Sequence, residues 1–230
     1  MIVLAACGRF DFEAISPTPA DAYVIPDCTT MPDGTPCDDH NICTDTSTCQ
    51  SGVCTNPTVP GSCTVADSQT EFDGTQGHLG WWYGTWHAET VPPPYDPDTS
   101  FELSVYADPL WECATPDANE WAWSAWWGNH DDASPLQLPI RRWVSDVSGP
   151  AVVTIHIDKS DTSCGDGTEG RLLIDGVTVW SHAVAFDDSV GVTDLIPVQL
   201  AIGTKVDAML HPVGSDSCDS TNFTISIGSP

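Results

Sequence analysis

Six of the chain's ten cysteines, Cys28, Cys37, Cys43, Cys49, Cys54 and Cys63, fall within 36 residues, with 8, 5, 5, 4 and 8 others between them. So short a stretch buries little apolar surface and needs cross-links to hold a shape. Cysteines at this density read as a disulfide framework formed in an oxidising compartment. Zinc is the rival use, but zinc clusters usually carry paired C-x2-C knuckles, and none of these gaps is that short. Spacing does not choose among the possible pairings. Residues 28–63 are therefore expected to be a small disulfide-rich module.

Beyond residue 70 the texture changes. Phe101-Glu102-Leu103-Ser104-Val105-Tyr106-Ala107 and Val153-Thr154-Ile155-His156-Ile157 alternate apolar and polar at period two, which predicts half-buried strands. Arg171 to Ile174 and Val177 to Trp180 flank Asp175-Gly176, a strong hairpin signal. Further runs lie at Leu138 to Val144, Ile196 to Ile202, Lys205 to Leu210 and Phe223 to Ile227, with Gly203-Thr204 as a turn. Eight or so short strands with little helix predict an all-β fold, a sandwich or a barrel, over residues 71–230. Residues 64–70 read as a polar linker. Residues 8–27, with Ser16-Pro17-Thr18-Pro19, read as an extended tether.

Charge narrows the function classes. The chain has 33 Asp plus Glu against 6 Lys plus Arg, a formal net charge of -27, and 26 of the acids are Asp. Nucleic acid and anionic lipid both need a basic footprint, so neither is an expected partner. No apolar run is long enough to span a bilayer as a helix. Asp, Gly and Pro favour turns, and helix formers are scarce.

Three resemblances add to this reading. Asp33-Gly34-Thr35-Pro36-Cys37-Asp38-Asp39-His40-Asn41-Ile42-Cys43, followed by Cys49-Gln50-Ser51-Gly52-Val53-Cys54, resembles a short module of secreted bacterial envelope proteins. It is also loosely similar to the cysteine-rich region of Dickkopf proteins. His40 stands where that pattern usually has Gly. Such modules act as spacers or docking units and imply no activity. Leu4-Ala5-Ala6-Cys7 resembles a bacterial lipobox, which implies diacylation of Cys7; Gly8 after it, rather than Asp, implies the outer membrane. A leader needs a basic region and an apolar run of about 7 to 15 residues, so residues 1–7 are expected to be the end of a longer signal. The ordered set Phe72 to Gly77, Trp82-Tyr83-Gly84, Arg141-Arg142-Trp143, Gly165-Asp166-Gly167, Asp175-Gly176, Val179-Trp180, Val206-Asp207 and Asp216 to Thr224 is similar to β-sandwich domains of the carbohydrate-binding-module type. That resemblance implies a jelly roll and contact with glycan.

Two constellations carry candidate chemistry. Trp81, Trp82, Tyr83 and Trp86 lie close together, as do Trp111, Trp121, Trp123, Trp126 and Trp127. Exposed indoles stack on sugar rings, while buried ones fill a sandwich core. Adjacent pairs in a strand must point opposite ways, so Trp81, Trp82, Tyr83, Trp86, Trp126 and Trp127 are the candidate ligand platform. Asp158, Asp161 and Asp166 in one loop, with Asp216 and Asp219 in another, could supply oxygens to a structural calcium ion; ordinary turn aspartates are the alternative. Cys164 and Cys218 sit in these two loops, and a disulfide between them would bring the loops together, with Cys113 as the competing partner.

No nucleophile elbow, zincin or P-loop motif is present. Glu112 and Glu120 are the carboxylate pair a glycoside hydrolase would use. Arg141-Arg142, the sole basic pair, is expected to meet buried acid rather than substrate. The expectation is a non-catalytic, lipid-anchored envelope protein whose sandwich binds glycan or a cell-surface protein. A structural stalk or adhesin subunit is the alternative, and a glycoside hydrolase or polysaccharide lyase the third.

Overall fold

The computed structural model describes residues 28–37, 39, 42–44, 47–55, 63–87, 94–112, 122–123, 127–128, 137–213 and 220–230. Three short strands, β1 (Pro36–Cys37), β2 (Ser47–Gln50) and β3 (Val53–Thr55), form a small antiparallel sheet in the cysteine module. Its disulfides are Cys28–Cys49, Cys37–Cys54 and Cys43–Cys63. In chain order the first three cysteines thus bond to the last three, a choice the spacing had left open. Cys164 is also disulfide-bonded, and its partner, whether Cys218 or Cys113, lies outside the described residues.

The remaining strands are β4 (Thr64–Asp67), β5 (Trp81–His87), β6 (Glu102–Leu103), β7 (Val105–Ala107), β8 (Leu110–Glu112), β9 (Ala122–Trp123) and β10 (Trp127–Gly128). They continue with β11 (Gln137–Val144), β12 (Gly149–Lys159), β13 (Thr168–Ile174), β14 (Val177–Val184), β15 (Val192–Leu200), β16 (Lys205–Pro212) and β17 (Thr221–Gly228). One sheet has eight strands in the order β15-β12-β17-β10-β9-β8-β7, with β4 also on β17; the other has six, β14-β13-β16-β11-β5-β6. From β11 onward the chain crosses repeatedly between the sheets, the weave of a jelly-roll-like sandwich.

Alternation explains the core. Val153, Ile155 and Ile157 of β12 and Phe223, Ile225 and Ile227 of β17 face Trp81, Tyr83, Trp143, Leu172, Val206, Ala208 and Leu210 of the opposite sheet in one buried cluster. Asp175 and Gly176 both adopt positive φ, 47° and 82°, and join β13 to β14 with Ile174 opposite Val177. This is the hairpin turn that the Asp-Gly pair predicts, since both central positions need left-handed backbone.

Two expectations are corrected. Residues 64–67 are not linker but strand β4, paired with β17 and anchored by Ser68 Oγ, which accepts from Ile225 N. Ile42 joins the sandwich core, so the module is packed against the sandwich rather than strung before it. The second concerns 101–107, read as one strand. It breaks at Ser104, leaving β6 in the six-stranded sheet and β7 in the eight-stranded one. The Gln76 side chain makes this crossing: its Nε2 donates to Tyr83 O and Ser104 O, and its Oε1 accepts from Tyr83 N.

Over β5, β11, β13 and β16 the outer face of the six-stranded sheet is roofed by residues 94–101. Tyr95 and Phe101 cover Trp86, Leu138, Ile140, Leu173 and Met209 in a second cluster. Beneath the roof Asp207, fully buried, accepts from Arg142 Nε at 2.7 Å and Nη2 at 2.8 Å, and from Tyr95 OH at 3.0 Å. Burial pushes the Tyr95 phenol far above its ordinary value, and the Asp207 charge adds to that. Burial works against the Arg142 charge, but the Asp207 hydrogen bonds and charge outweigh it and raise its pKa. Arg142 meets buried acid as expected. Arg141 instead points between the sheets, where Nη1 donates to Phe223 O and the guanidinium lies 5.8 Å from the Tyr83 ring. Burial lowers its pKa to about 10 and pushes the Tyr83 phenol up to about 12.

Candidate functional site

The two sheets differ in what lies on their outer faces. The six-stranded sheet is roofed, whereas the eight-stranded sheet presents β15, β12, β17 and β4 outward. Along β17, and along β12 from Ala151 to Ile157, every second residue is buried and its neighbours are half-buried, with Asp158 itself buried at the end of β12, and β15 alternates half-buried with exposed. The register assembles the outward positions into cross-strand rows. Asp158, Asn222 and Trp127 make the first row, and Thr193, His156 and Thr224 the second. Leu195, Thr154, Ser226 and Asp67 make the third. Pro197, Val152, Gly228 and Thr64 make the fourth. Rows in a sheet lie ~7 Å apart along the strands, and the strands ~4.8 Å apart, so this face extends well beyond the width of one small ligand.

Hydrogen bonds fix the polar half of the face. His156 Nδ1 lies 2.9 Å from Thr193 Oγ1 and Nε2 lies 2.7 Å from Asp158 Oδ2. Asn222 Nδ2 donates to Asp158 Oδ1 at 2.8 Å. Asn222, Asp158, His156 and Thr193 thus form one connected line across β17, β12 and β15. Beside it a hollow of about 80 Å³ lies among Asp67, Gln69, Thr154, His156, Thr224 and Ser226. Through Thr154 and Ser226 it continues into a groove of about 230 Å³ bordered by Val152, Leu195, Ser229 and Pro230. Leu195 is 67% exposed, so the groove has an apolar lip beside the hydroxyl rows.

The aromatic platform read from the sequence is divided by the fold. Trp81, Tyr83 and Trp86 are buried at 1%, 1% and 6% exposure, so they offer no face to a ligand. Trp81 and Tyr83 belong to the main core and Trp86 lies under the roof. Tyr83 stacks on Trp111 at 5.1 Å, and Trp81 Nε1 donates to Glu71 Oε2. Trp82 is half-buried, on the outward side of β5 in the other sheet, opposite Arg142 in register. Trp126 lies outside the described residues, and Trp127 stands opposite Asn222 in register. Of the six, Trp127 alone is placed by register in the row beside Asp158 and Asn222.

The acidic loops divide too. Asp158 belongs to the open face. Asp161 Oδ1 accepts from Ser163 N and Oγ, and the Ser163 side chain, then its N–H, holds the carboxyl below the ordinary value. Asp166 is exposed, and Asp216 and Asp219 lie outside the described residues. Among the described residues, the only three His, Cys, Asp or Glu side chains that converge are Cys28, Cys37 and Cys49, whose sulfurs are already in disulfides. Much of the Asp surplus serves turns: Asp67, Asp96 and Asp188 each accept N–H groups two or three residues ahead, as short polar side chains do there. Glu112 is half-buried in β8, and Glu120 lies outside the described residues. What single-strand reading missed is the pair of adjacent rows that sets Thr193 and Thr224 beside Thr154 and Ser226; their only trace was the polar half of each alternating run.

No family model matches the chain, and no curated protein matches it. Solved structures give distant likenesses. The CBM51 of Clostridium perfringens GH95 in complex with methyl-galactose is 9% identical, with a TM-score of 0.32, covering 43% of this chain and 77% of that one. A family 35 carbohydrate-binding module of Clostridium thermocellum is 17% identical, with a TM-score of 0.28, covering 39% and 69%. The K3 cleaved adhesin domain of Lys-gingipain from Porphyromonas gingivalis is 14% identical, with a TM-score of 0.36, covering 74% and 100%. At such scores the likeness settles neither fold nor function, which here rest on the chain's own strand order and residues.

Proposed function

We propose that this chain is an exported, non-catalytic β-sandwich that binds glycan on the open face of its eight-stranded sheet. The observation that carries the reading is the connected line Asn222–Asp158–His156–Thr193, set beside the hydroxyls of Thr154, Thr224 and Ser226 and the exposed Leu195. Fixed donors and acceptors next to apolar surface suit a ligand that is polar at its edges and apolar on its ring faces, and prior hydrogen bonding lowers the entropy lost on binding. Rigid strands hold the groups, so little reorders when a sugar arrives. Three disulfides in the module agree with folding in an oxidising compartment. No helix among the described residues is long and apolar enough to cross a membrane. Attachment at the cell surface through acylated Cys7 belongs to the same proposal, with Cys7 itself outside the described residues.

Catalysis is not part of the reading. Isothermal titration of the purified protein against a panel of soluble polysaccharides tests the proposal. Binding that weakens in Thr193→Ala and Asn222→Ala, with melting temperatures kept, supports it. Binding of no member of the panel overturns it in favour of a structural or adhesin subunit.

A further inference from the structure

We infer that the open face takes internal stretches of an uncharged polysaccharide and rejects acidic ones, an inference that rests on the glycan reading above. The argument is an account of cations. The chain has six Lys and Arg, and five lie in described segments. Arg141 and Lys159 are buried at 0% and 1% exposure. Arg142 is buried against Asp207 on the far sheet. Arg171 pairs with Glu169 and Lys205 with Asp98, both also on the six-stranded side. The sixth, Arg9, is outside the described residues. Among the described residues the open face therefore carries one group able to become a cation, His156, and its Nε2 already faces the Asp158 carboxylate.

Acidic sugars are recognised by Arg or Lys forks on their carboxylates or sulfates. Here no such group is offered, and a chain of net charge -27 repels a polyanion before contact. A polyamine is not favoured locally either. The face's two carboxylates are both engaged, Asp67 by the N–H groups of Gln69 and Thr70 and Asp158 by His156 and Asn222. What the rows present is hydroxyl and amide, the complement of sugar hydroxyls. The form of the site adds the second half. The hollow and the groove join along the second to fourth rows, over several strands rather than in one closed pocket, so a chain can lie across them and continue past both sides.

The experiment uses the purified full chain and three classes of polymer: a neutral β-glucan and a galactomannan, polygalacturonate, and chitosan. Neutral polymer should bind, with affinity rising with oligomer length and changing less than about twofold between about 50 and about 500 mM salt, since no ion pairs are screened. Thr154→Ala with Thr224→Ala should weaken that binding about tenfold, two hydrogen bonds' worth, without lowering the melting temperature. Thr193→Lys should create affinity for polygalacturonate that salt removes. Binding of polygalacturonate or chitosan by the unaltered protein in preference to neutral polymer overturns this inference and leaves glycan binding standing. Equal affinity for a monosaccharide and its polymer overturns the internal-chain part. Binding of no polymer at all removes the glycan reading itself.

Discussion

Removing Asp207 is the sharpest test of how the roofed sheet is held. Its carboxylate is fully buried, takes both Arg142 Nε and Nη2, and accepts from Tyr95 OH. Asp207→Ala would leave a guanidinium buried without its counter-charge. The side-chain exposure of Arg142 is only 7%, so solvent screens little of the loss. Breaking one side of such a buried pair costs about 3–5 kcal/mol. For a chain of this size about 1 kcal/mol corresponds to roughly 2–4 °C, which places the fall in melting temperature at roughly 6–20 °C. Tyr95→Phe deletes two hydrogen bonds to charged groups, one donated to Asp207 and one accepted from Arg142 Nη2, and should cost at least about 1.5–3 kcal/mol. Replacing both charges, Arg142→Met with Asp207→Leu, should cost less than Asp207→Ala alone, because no unpaired charge remains. Urea denaturation of the three variants measures these differences. A loss under about 1 kcal/mol for Asp207→Ala, or additive costs in the double variant, would refute the claim that the pair is shielded and coupled. Glycan binding should persist in Tyr95→Phe, since the open face is on the other sheet.

Further outcomes follow from other parts of the fold. Mutating Cys43 and Cys63 to Ser should lower the melting temperature of the whole sandwich, because the bond closes a 20-residue separation, worth about 3 kcal/mol, and Ile42 beside it sits in the core; an unchanged sandwich melt would show an independent module. Gly191→Ala would set a Cβ 1.8 Å from Ile157 O, so it should destabilise by at least about 1–3 kcal/mol, read by thermal melt. Asp188 is held below its ordinary 3.8 by the N–H groups of Gly191 and then Val190. A folded pKa below the unfolded one stabilises above the unfolded value and is lost as pH falls through the folded one. The melting difference between the parent and Asp188→Ala should therefore be constant near neutrality and close below about pH 4; a difference that widens in acid would contradict the assignment. Should Asp166, Asp216 and Asp219 hold calcium, chelation would lower the melting temperature of the parent and not of Asp166→Ala with Asp219→Ala.

The cysteine cluster, the period-two runs and the Asp-Gly pair were legible because each is a local constraint. Cross-link density, alternation and positive-φ turns act over a few residues, so β11 to β14, β16, β17 and the hairpin at Asp175-Gly176 lie where the pattern put them, while β15 (Val192–Leu200) is shifted toward the N-terminus from the run read at 196–202. Alternation also says that Trp81 and Trp82 face opposite ways. It cannot say what covers each side. Trp86 looks outward from its own sheet and is still buried, because residues 94–101 fold back over it. Likewise β4 read as linker because a four-residue run has too little pattern of its own; pairing with β17, about 160 positions later, makes it a strand. The open face has the same origin. Asp67, Thr154, Thr193, Leu195, Asn222 and Ser226 come from four separate strands, and hydrogen-bond register across the sheet, a long-range property, sets them side by side. One-dimensional pattern fixes which residues leave a strand's core side; only the packed sheets decide which of those outward sides stays open to a ligand.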